Sequence, residues 1–484
     1  MSDPVFKEKS AQFLNWFKAW PGASFNNDIE IQDLRKSGRG RGIIAKADIP
    51  EDTVLFTIPR AAIINTQTSD LARRIPDVFA TTVLDDGDGE ADDDDADGAS
   101  GPPDNWASLI LVMLYEYLQG ERSRWKRYFD VLPNEFDTLM WWPDKELDAL
   151  QASSIIGKIG KDEADSMFRA RVLPVVEKNI DVFYPEGSRR LSEDELMLLA
   201  HRIGSTIMAY AFDLENDEED ADPEDEDEWV EDREGKILMG MVPMADILNA
   251  DAEFNAHVNH EEDNLTVTAI RPIAAGQEIL NYYGPLGNGE LLRRYGYTSV
   301  HHARYDVVEI SWSLVMSALK QTLSIDDAIL GKAITELDPE EVEDAFVLDR
   351  DLDEPDSRGE YHGSKTLKNL PEDLREQINA VLKAVRKLSP EMIPDKQTRD
   401  RVCLSAMRRA FDLKLAEYPT SADDDAKLLS SGTGSGRLRM ALTVRYGEKV
   451  LLHEAMNLAN EKINTLLASQ GEETQPSAKR LRTQ

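Results

Sequence analysis

Strand-patterned sequence comes in two blocks, and a long helix-patterned stretch stands between them. Ile29-Glu30-Ile31 alternates, Ile43-Ile44-Ala45 follows a glycine-rich turn, and Val54-Leu55-Phe56-Thr57-Ile58 is entered through Asp48-Ile49-Pro50-Glu51-Asp52. From Trp106 the period changes. Leu109, Val112, Met113 and Tyr117 fall on one helical face, and helix patterns continue to about Leu214, interrupted at Trp141-Trp142-Pro143. Alternation returns at Leu238 and is clearest in Leu265, Val267 and Ala269. A period of two marks half-buried strands and a period of 3.6 marks helices. The chain therefore reads as α+β, a β fold split by a helical insertion. The segment Arg271–Ile279 resembles Ala47–Val54, and both read as strand–turn–strand units rather than as a true repeat.

The two ends are helical. Phe13, Trp16, Phe17 and Trp20 form an aromatic stripe that reads as core packing, stopped by Pro21-Gly22. After about Val300 helix patterns dominate, with a polar linker from Asp351 to Lys365. Leu452, Met456, Ala459, Ile463 and Leu466 mark the last long helix. Gly471 to Gln484 reads as disordered and carries the basic cluster Lys479-Arg480-Leu481-Arg482. His301-His302 reads as an exposed boundary.

At 484 residues and 41% hydrophobic content the chain has material for two or three domains with real cores. Its longest apolar run, Leu109–Tyr115, is far shorter than a bilayer requires, and Met1–Ser10 lacks the apolar core of a signal peptide. A single cysteine, Cys403, excludes an intrachain disulfide and a multi-cysteine zinc cluster, so a reducing, intracellular setting is expected. The formal net charge of −37 is uneven. Asp85–Asp97 holds nine acids, and Glu215–Glu234 holds fourteen acids and one arginine. Such runs repel themselves and read as solvated loops, or as steering surfaces for a basic protein. Neither reading suits direct binding of DNA or RNA, because phosphate neutralisation needs lysine and arginine.

Individual residues carry modest signals. Gly38-x-Gly40-x-Gly42 is a turn, and its entry into a strand would offer main-chain groups to a ligand's amino acid moiety. It is not a dinucleotide fingerprint, since no helix follows. Asn249 and Asn255 are turn asparagines. Tyr282-Tyr283-Gly284 closes a strand with one ring on each face. Tyr210, in Ala209-Tyr210-Ala211-Phe212, equally suits a buried helix. His257 and His260 have no further histidine or cysteine near them, so no metal site is expected.

Taken in chain order, the glycine loop with IIAKADIP and TVLFTIPR, then ADILNADAEFN, LNYYG and LLRRYGY, resembles the SET domain. That fold moves a methyl group from S-adenosylmethionine (AdoMet) to a lysine amine. Trp106, Glu116, Ser123-x-Trp125-x-x-Tyr128, Leu132-Pro133, Leu415–Thr420 and Arg445–Lys449 resemble the Rubisco large-subunit methyltransferase-like class. Within it, PMADILN, LNYYG and the basic tail are similar to the fungal ribosomal lysine methyltransferases and to animal relatives that modify nuclear proteins.

The resemblance implies an N-terminal helix at 1–24 and a β-rich SET domain at 25–298. That domain would be split by a helical insertion at about 106–237, with acidic loops at 85–98 and 215–234. An all-α substrate-binding domain at 299–470 and a disordered basic tail at 471–484 would follow. It implies that Gly40, Arg41 and Gly42 hold the methionine part of AdoMet with Asn249, and that Ala250 meets the adenine through its backbone. Tyr283 would be catalytic, and Tyr210, Tyr283 and Tyr295 would line both the cofactor site and the lysine channel. In the family's Asn-His-Ser motif, Ala250 and Asp251 here replace the histidine and serine. The implied partner is a basic protein, in particular a large-subunit ribosomal protein, met by a monomer in the nucleus and also the cytoplasm, with no metal, membrane or direct nucleic acid. Two other readings stand beside this one. One is a catalytically silent SET-fold adaptor for basic proteins, and the other is an acidic chaperone. The enzyme reading requires that the glycine loop, Asn249 and Tyr283 meet in the folded chain.

Overall fold

The computed structural model describes residues 3–80, 104–214, 238–338, 342–352, 354–362, 365–432, 434 and 436–473. The acidic loops 85–98 and 215–234 and the tail 474–484 lie outside the described residues. The chain divides into two compact units. The first comprises 1–140, 160–284 and 355–360, and the second comprises 141–159, 285–354 and 361–484.

In the first unit four strands precede the helical stretch: β1 (Ser24–Phe25), β2 (Ile29–Asp33), β3 (Arg41–Ala45) and β4 (Val54–Pro59). A short pair follows it, β5 (Ala211–Asp213) and β6 (Met239–Met241). Four more strands complete the fold: β7 (Asn249–Ala250), β8 (Ala256–His260), β9 (Asn264–Ala269) and β10 (Glu278–Asn281). The sheets are ordered β1-β4-β9-β8 and β2-β3-β10-β7, so each joins strands from both sides of the helical stretch. The β fold is therefore split, as the pattern implied. The two similar turns lie side by side, with Ile49 bridging Ile273 and Asp48 Oδ1 accepting the Ala275 N–H at 2.9 Å. Asp52 and Gly276, three residues after those isoleucines, both have positive φ, at 62° and 83°.

The N-terminal helix Pro4–Lys18 is capped by the Asp3 side chain and buries Phe13 and Phe17 completely. Each such burial contributes about 1.5–3 kcal/mol. The helix Asn105–Leu118 departs from expectation. All residues from Ala107 to Glu116 are buried, while Tyr117 is exposed. This helix lies in the core with no solvent face, so its apolar residues form no single stripe. Its one buried charge, Glu116, accepts hydrogen bonds from Ser69 and Ser123, both at 2.7 Å. Next to that serine, Trp125 Nε1 donates to the Ala62 carbonyl at 2.8 Å. The Ser-x-Trp-x-x-Tyr motif thus ties the insertion to the β region.

The second unit has its own apolar core. Among its described residues it is helical apart from a two-stranded ribbon, β11 (Val308–Ser311) with β12 (Ala345–Leu348). Helices Lys396–Ala416 and Gly436–Glu473 form its spine, and the latter runs three residues into the segment expected to be disordered. His302 is fully buried rather than exposed, with Nδ1 at 2.8 Å from the Leu286 carbonyl. A lone histidine pair in a polar stretch gave no sign of that burial. Asp425, also fully buried, accepts from Arg445 at 2.7 Å and from Lys449 at 2.5 Å. Glu448 accepts from Ser153 and Tyr418 at 2.5 and 2.8 Å, and burial still pushes it up to about 7. Removing one member of a buried ionic group strands its partners. Asp425→Ala is expected to lower stability by about 3–5 kcal/mol in urea unfolding. A loss below about 1 kcal/mol would show that solvent reaches the two cations.

Candidate active site

Three distant segments converge in the first unit because β10 is paired along both edges. It runs antiparallel to β3, with Glu278 opposite Ile44 and Ile279 opposite Ile43. On its other edge it runs parallel to β7, with Leu280 beside Asn249 and Asn281 beside Ala250. The glycine-rich turn leads into β3, so Gly40, Arg41 and Gly42 arrive next to Asn249.

The contacts there are close and polar. Asn249 Nδ2 donates to the Arg41 carbonyl at 3.0 Å and to Glu278 Oε1 at 2.7 Å. The other Glu278 oxygen pairs with Arg39. Both amide hydrogens of Asn249 are thus used within the protein, and its Oδ1 is the atom left to meet a ligand's ammonium group. A Cβ on Gly42 would sit 2.4 Å from Leu34 Cδ1, 2.7 Å from Glu278 Oε1 and 2.9 Å from Asn249 Nδ2. A side chain at 42 would therefore have to displace the Leu34, Glu278 and Asn249 side chains. At Gly40 the cause differs, since φ is +69° and the space around it is open. This open, glycine-lined edge with a carboxamide oxygen suits a zwitterionic amino acid moiety. Asn255 serves β10 instead, donating to the Glu278 carbonyl and accepting the Leu280 N–H, each at 2.8 Å. Ala250 is buried in β7.

Tyr283 lies two residues beyond β10, and its hydroxyl donates to the Leu248 carbonyl at 2.9 Å. Tyr282 faces the other way and stacks on Phe254 at 4.8 Å. Tyr210 ends the helix Glu193–Tyr210, which begins in a full capping box between Ser192 and Glu195. Burial, then the charge of Asp246, push the Tyr210 phenol up to about 12, so it stays neutral. Tyr295 belongs to the second unit, on the helix Asn288–Tyr295, where it packs edge-on to Tyr297 at 6.3 Å.

Asp246 is the residue that motif reasoning missed. It is the one charged residue between Leu238 and Leu248, and a lone acid in an apolar run signals a buried carboxyl. Tyr128 donates to its Oδ2 at 2.5 Å, and the Met244 N–H donates to its Oδ1 at 3.1 Å. Met244 is held at φ +87°, a conformation that costs a non-glycine residue about 1–3 kcal/mol. Burial raises Asp246 to about 7, although these two donors and Arg41 favour its charged form. Arg41 is itself partly buried, and that desolvation, with the charge of Arg35, lowers its guanidinium to about 10. It donates to Ser10 Oγ at 3.0 Å and to the Val131 carbonyl at 2.7 Å, and it stacks on Phe6 at 3.9 Å. Among the described residues, no group of three or more His, Cys, Asp or Glu is placed to hold a metal ion.

The sequence matches the family model described as SET domain over residues 40–284, and the one described as Rubisco LSMT substrate-binding over 363–452. Ribosomal lysine N-methyltransferase 4 of Saccharomyces cerevisiae is 32% identical over 335 residues, 68% of this chain and 63% of the yeast protein. The match thus spans just under two thirds of that relative's length. Human N-lysine methyltransferase SETD6 is 27% identical over 450 residues, 87% of this chain and 85% of its own. A crystal structure of the SET domain of LSMT bound to lysine and AdoHcy aligns with a TM-score of 0.61 at 19% identity, over 99% of this chain and 98% of that one. A structure of Rubisco LSMT bound to AdoMet aligns at 0.59 and 18%, with the same coverage. At these identities the structural likeness speaks for the fold.

Asp246 separates shape from charge. Asp246→Ala leaves the Tyr128 hydroxyl buried without its acceptor and is expected to cost about 1–3 kcal/mol. Asp246→Asn keeps an acceptor and should cost less. Between its ordinary 3.8 and about 7 the folded protein holds a proton that the unfolded chain has lost, so stability falls as pH rises through that window. Asp246→Asn should remove this one proton's share of the slope, up to about 1.4 kcal/mol per pH unit. Unfolding free energies at pH 5, 6 and 7 check this, and an unchanged slope would mean that the carboxyl is ionised throughout.

Proposed function

Because this chain belongs to the SET-domain family, with a Rubisco LSMT substrate-binding region behind the SET fold, we propose that it is an AdoMet-dependent protein-lysine N-methyltransferase. The observation that carries this reading is the meeting of Gly42, Arg41 and Asn249 beside the strand that delivers Tyr283. AdoMet, when bound, supplies a methyl group already activated on a sulfonium, which needs neither a metal nor a covalent enzyme intermediate.

The protein's own residues then have three tasks. Gly40, Arg41 and Gly42 offer main-chain groups to the amino acid end of the cosubstrate, with Asn249 Oδ1 as acceptor and the Ala250 backbone toward the adenine. Tyr283 orients. Its hydroxyl donates a hydrogen bond to the Leu248 carbonyl, which fixes the direction of the phenol at the end of β10. The phenols exclude water and stay neutral. Tyr210 is assigned that task in the first unit, and Tyr295 in the second. The target amine must also lose its proton, which from a pKa of about 10.4 costs roughly 4.6 kcal/mol at pH 7. An apolar channel lowers that cost by disfavouring the ammonium. With AdoMet bound, the neutral amine would take the methyl carbon with its lone pair, and the sulfur would keep the electrons of the broken bond and leave as a neutral thioether.

The substrate we assign is a basic protein, specifically a large-subunit ribosomal protein. The similarity to the yeast ribosomal enzyme supports this choice, and the acidic runs suit a basic partner. Residues 299–470 are assigned to holding that protein, supported by the match over 363–452. We assign the protein to the nucleus and also the cytoplasm, acting as a monomer. The silent-adaptor reading rests on Ala250 in place of the family histidine.

Tyr283→Phe should lower methyl transfer by roughly 10²–10³-fold, the scale of a lost transition-state contact, with AdoMet affinity little changed. Unchanged transfer removes Tyr283 from its role. Gly42→Ala should push Asn249 off the Arg41 carbonyl and weaken AdoMet binding at least tenfold in isothermal titration. No binding heat for the unaltered protein would favour the adaptor. Mass spectrometry of ribosomal proteins from cells with and without this chain should show one lysine losing its methyl groups, and no difference would exclude the ribosomal substrate.

A further inference from the structure

The second unit carries a groove lined by residues between Val347 and Leu466. It encloses about 950 Å³ beside β12, the helix Glu372–Leu388, the helix Lys396–Ala416 and the helix Gly436–Glu473. Its apolar lining includes Leu370, Leu404, Leu458 and Leu466, with Val347 half exposed. Its polar lining is one-sided. Asp349, Asp351, Glu372, Asp373, Asp400 and Glu461 stand against Arg375 and Lys462, and Arg375 is already paired with Glu372. Burial and the charges of Asp351 and Asp373 raise the Asp349 carboxyl. Asn379 also lines the groove. Its Nδ2 donates to the Arg375 carbonyl, and its Oδ1 is buried with no hydrogen-bond partner among the described residues. Excess negative charge and apolar lining together fit a segment in which cationic side chains flank an apolar one.

The chain contains such a segment, Lys479-Arg480-Leu481-Arg482. The helix that supplies Leu458, Glu461 and Leu466 to the groove ends at Glu473, seven residues past Leu466. At 1.5 Å per residue that is about 10 Å. The six steps from Glu473 to Lys479 span up to about 20 Å, enough to return. Pro476 lies between and disfavours continuing the helix through it. We propose that Lys479–Arg482 docks into this groove of its own chain. The acidic runs 85–97 and 215–234 offer charge too, but they join the chain more than 200 residues away. A tether this short sets an effective concentration in the millimolar range, so a free basic segment enters the groove only by displacing the tail. The groove thereby screens basic proteins, admitting those that bind more strongly than the chain's own cluster. This inference does not depend on the assignment of methyl transfer.

Two measurements on the full chain test it. A zero-length carbodiimide joins the Lys479 amine to a neighbouring carboxylate as an amide with loss of water. In an equal mixture of ¹⁴N- and ¹⁵N-labelled protein, Lys479 should be linked to Asp349, Asp373 or Glu461 within one copy. Links to the acidic runs, links between copies, or no link would overturn the proposal. A fluorescent peptide of residues 474–484 should bind a Lys479→Gln, Arg480→Gln, Arg482→Gln chain at least tenfold more tightly than the unaltered chain. Adding Asp349→Asn and Asp373→Asn should abolish that gain. Equal binding to both chains, or a gain that survives the groove changes, would also overturn it.

Discussion

The two-sided pairing of β10 is the constraint on which the first unit's site depends. One edge is fixed by β3, more than 230 residues earlier, and the other by β7, which runs parallel to it. A slip of one residue would turn every side chain to the opposite face. Asn255 guards against that slip, because its carboxamide occupies the Glu278 carbonyl and the Leu280 N–H as a further strand would. Glu278 then meets Asn249 and Arg39 at one point, and Tyr283 emerges at a fixed distance beyond. Loop closure over so long a stretch costs only a few kcal/mol, since the cost grows with the logarithm of length. A large helical insertion is thus compatible with a precise strand pair.

Both units enclose charged groups. In the first, Glu116 and Asp246 sit where the insertion meets the β region, each held by hydroxyl donors. Burial raises Asp246 to about 7, and its neighbour Tyr210, raised to about 12, does not ionise near pH 7. In the second, Asp425 holds Arg445 and Lys449 together inside the helical spine. A cation paired inside a protein keeps its charge at the cost of desolvation, whereas a carboxyl among phenols gives up its charge.

Much of the fold was legible in advance, for identifiable reasons. Strand alternation survives as a local pattern, so β2, β3, β4 and β9 were readable, and so was the split between them. The glycine loop and Asn249 were readable because close approach and positive φ leave compositional marks, and Gly42 and Gly40 show one each. The helix Asn105–Leu118 was read as one-faced because periodicity cannot tell full burial from half burial when every residue is apolar. Glu278, Asp246 and His302 were missed. Their surroundings come from segments far along the chain, and a polar residue in sequence looks the same whether it is solvated or enclosed.

The sequence by itself determined the local elements, the order of the motifs, the placement of charge and the family resemblance, because each is written in residues that stand close together. Tertiary structure alone decided that the Arg41 carbonyl lies 3.0 Å from Asn249, that Asn249 keeps only an acceptor for a ligand, and that the Tyr283 hydroxyl donates to the Leu248 carbonyl. These depend on strand pairing between segments hundreds of residues apart. No local pattern encodes which hydrogen of a side chain has already been used.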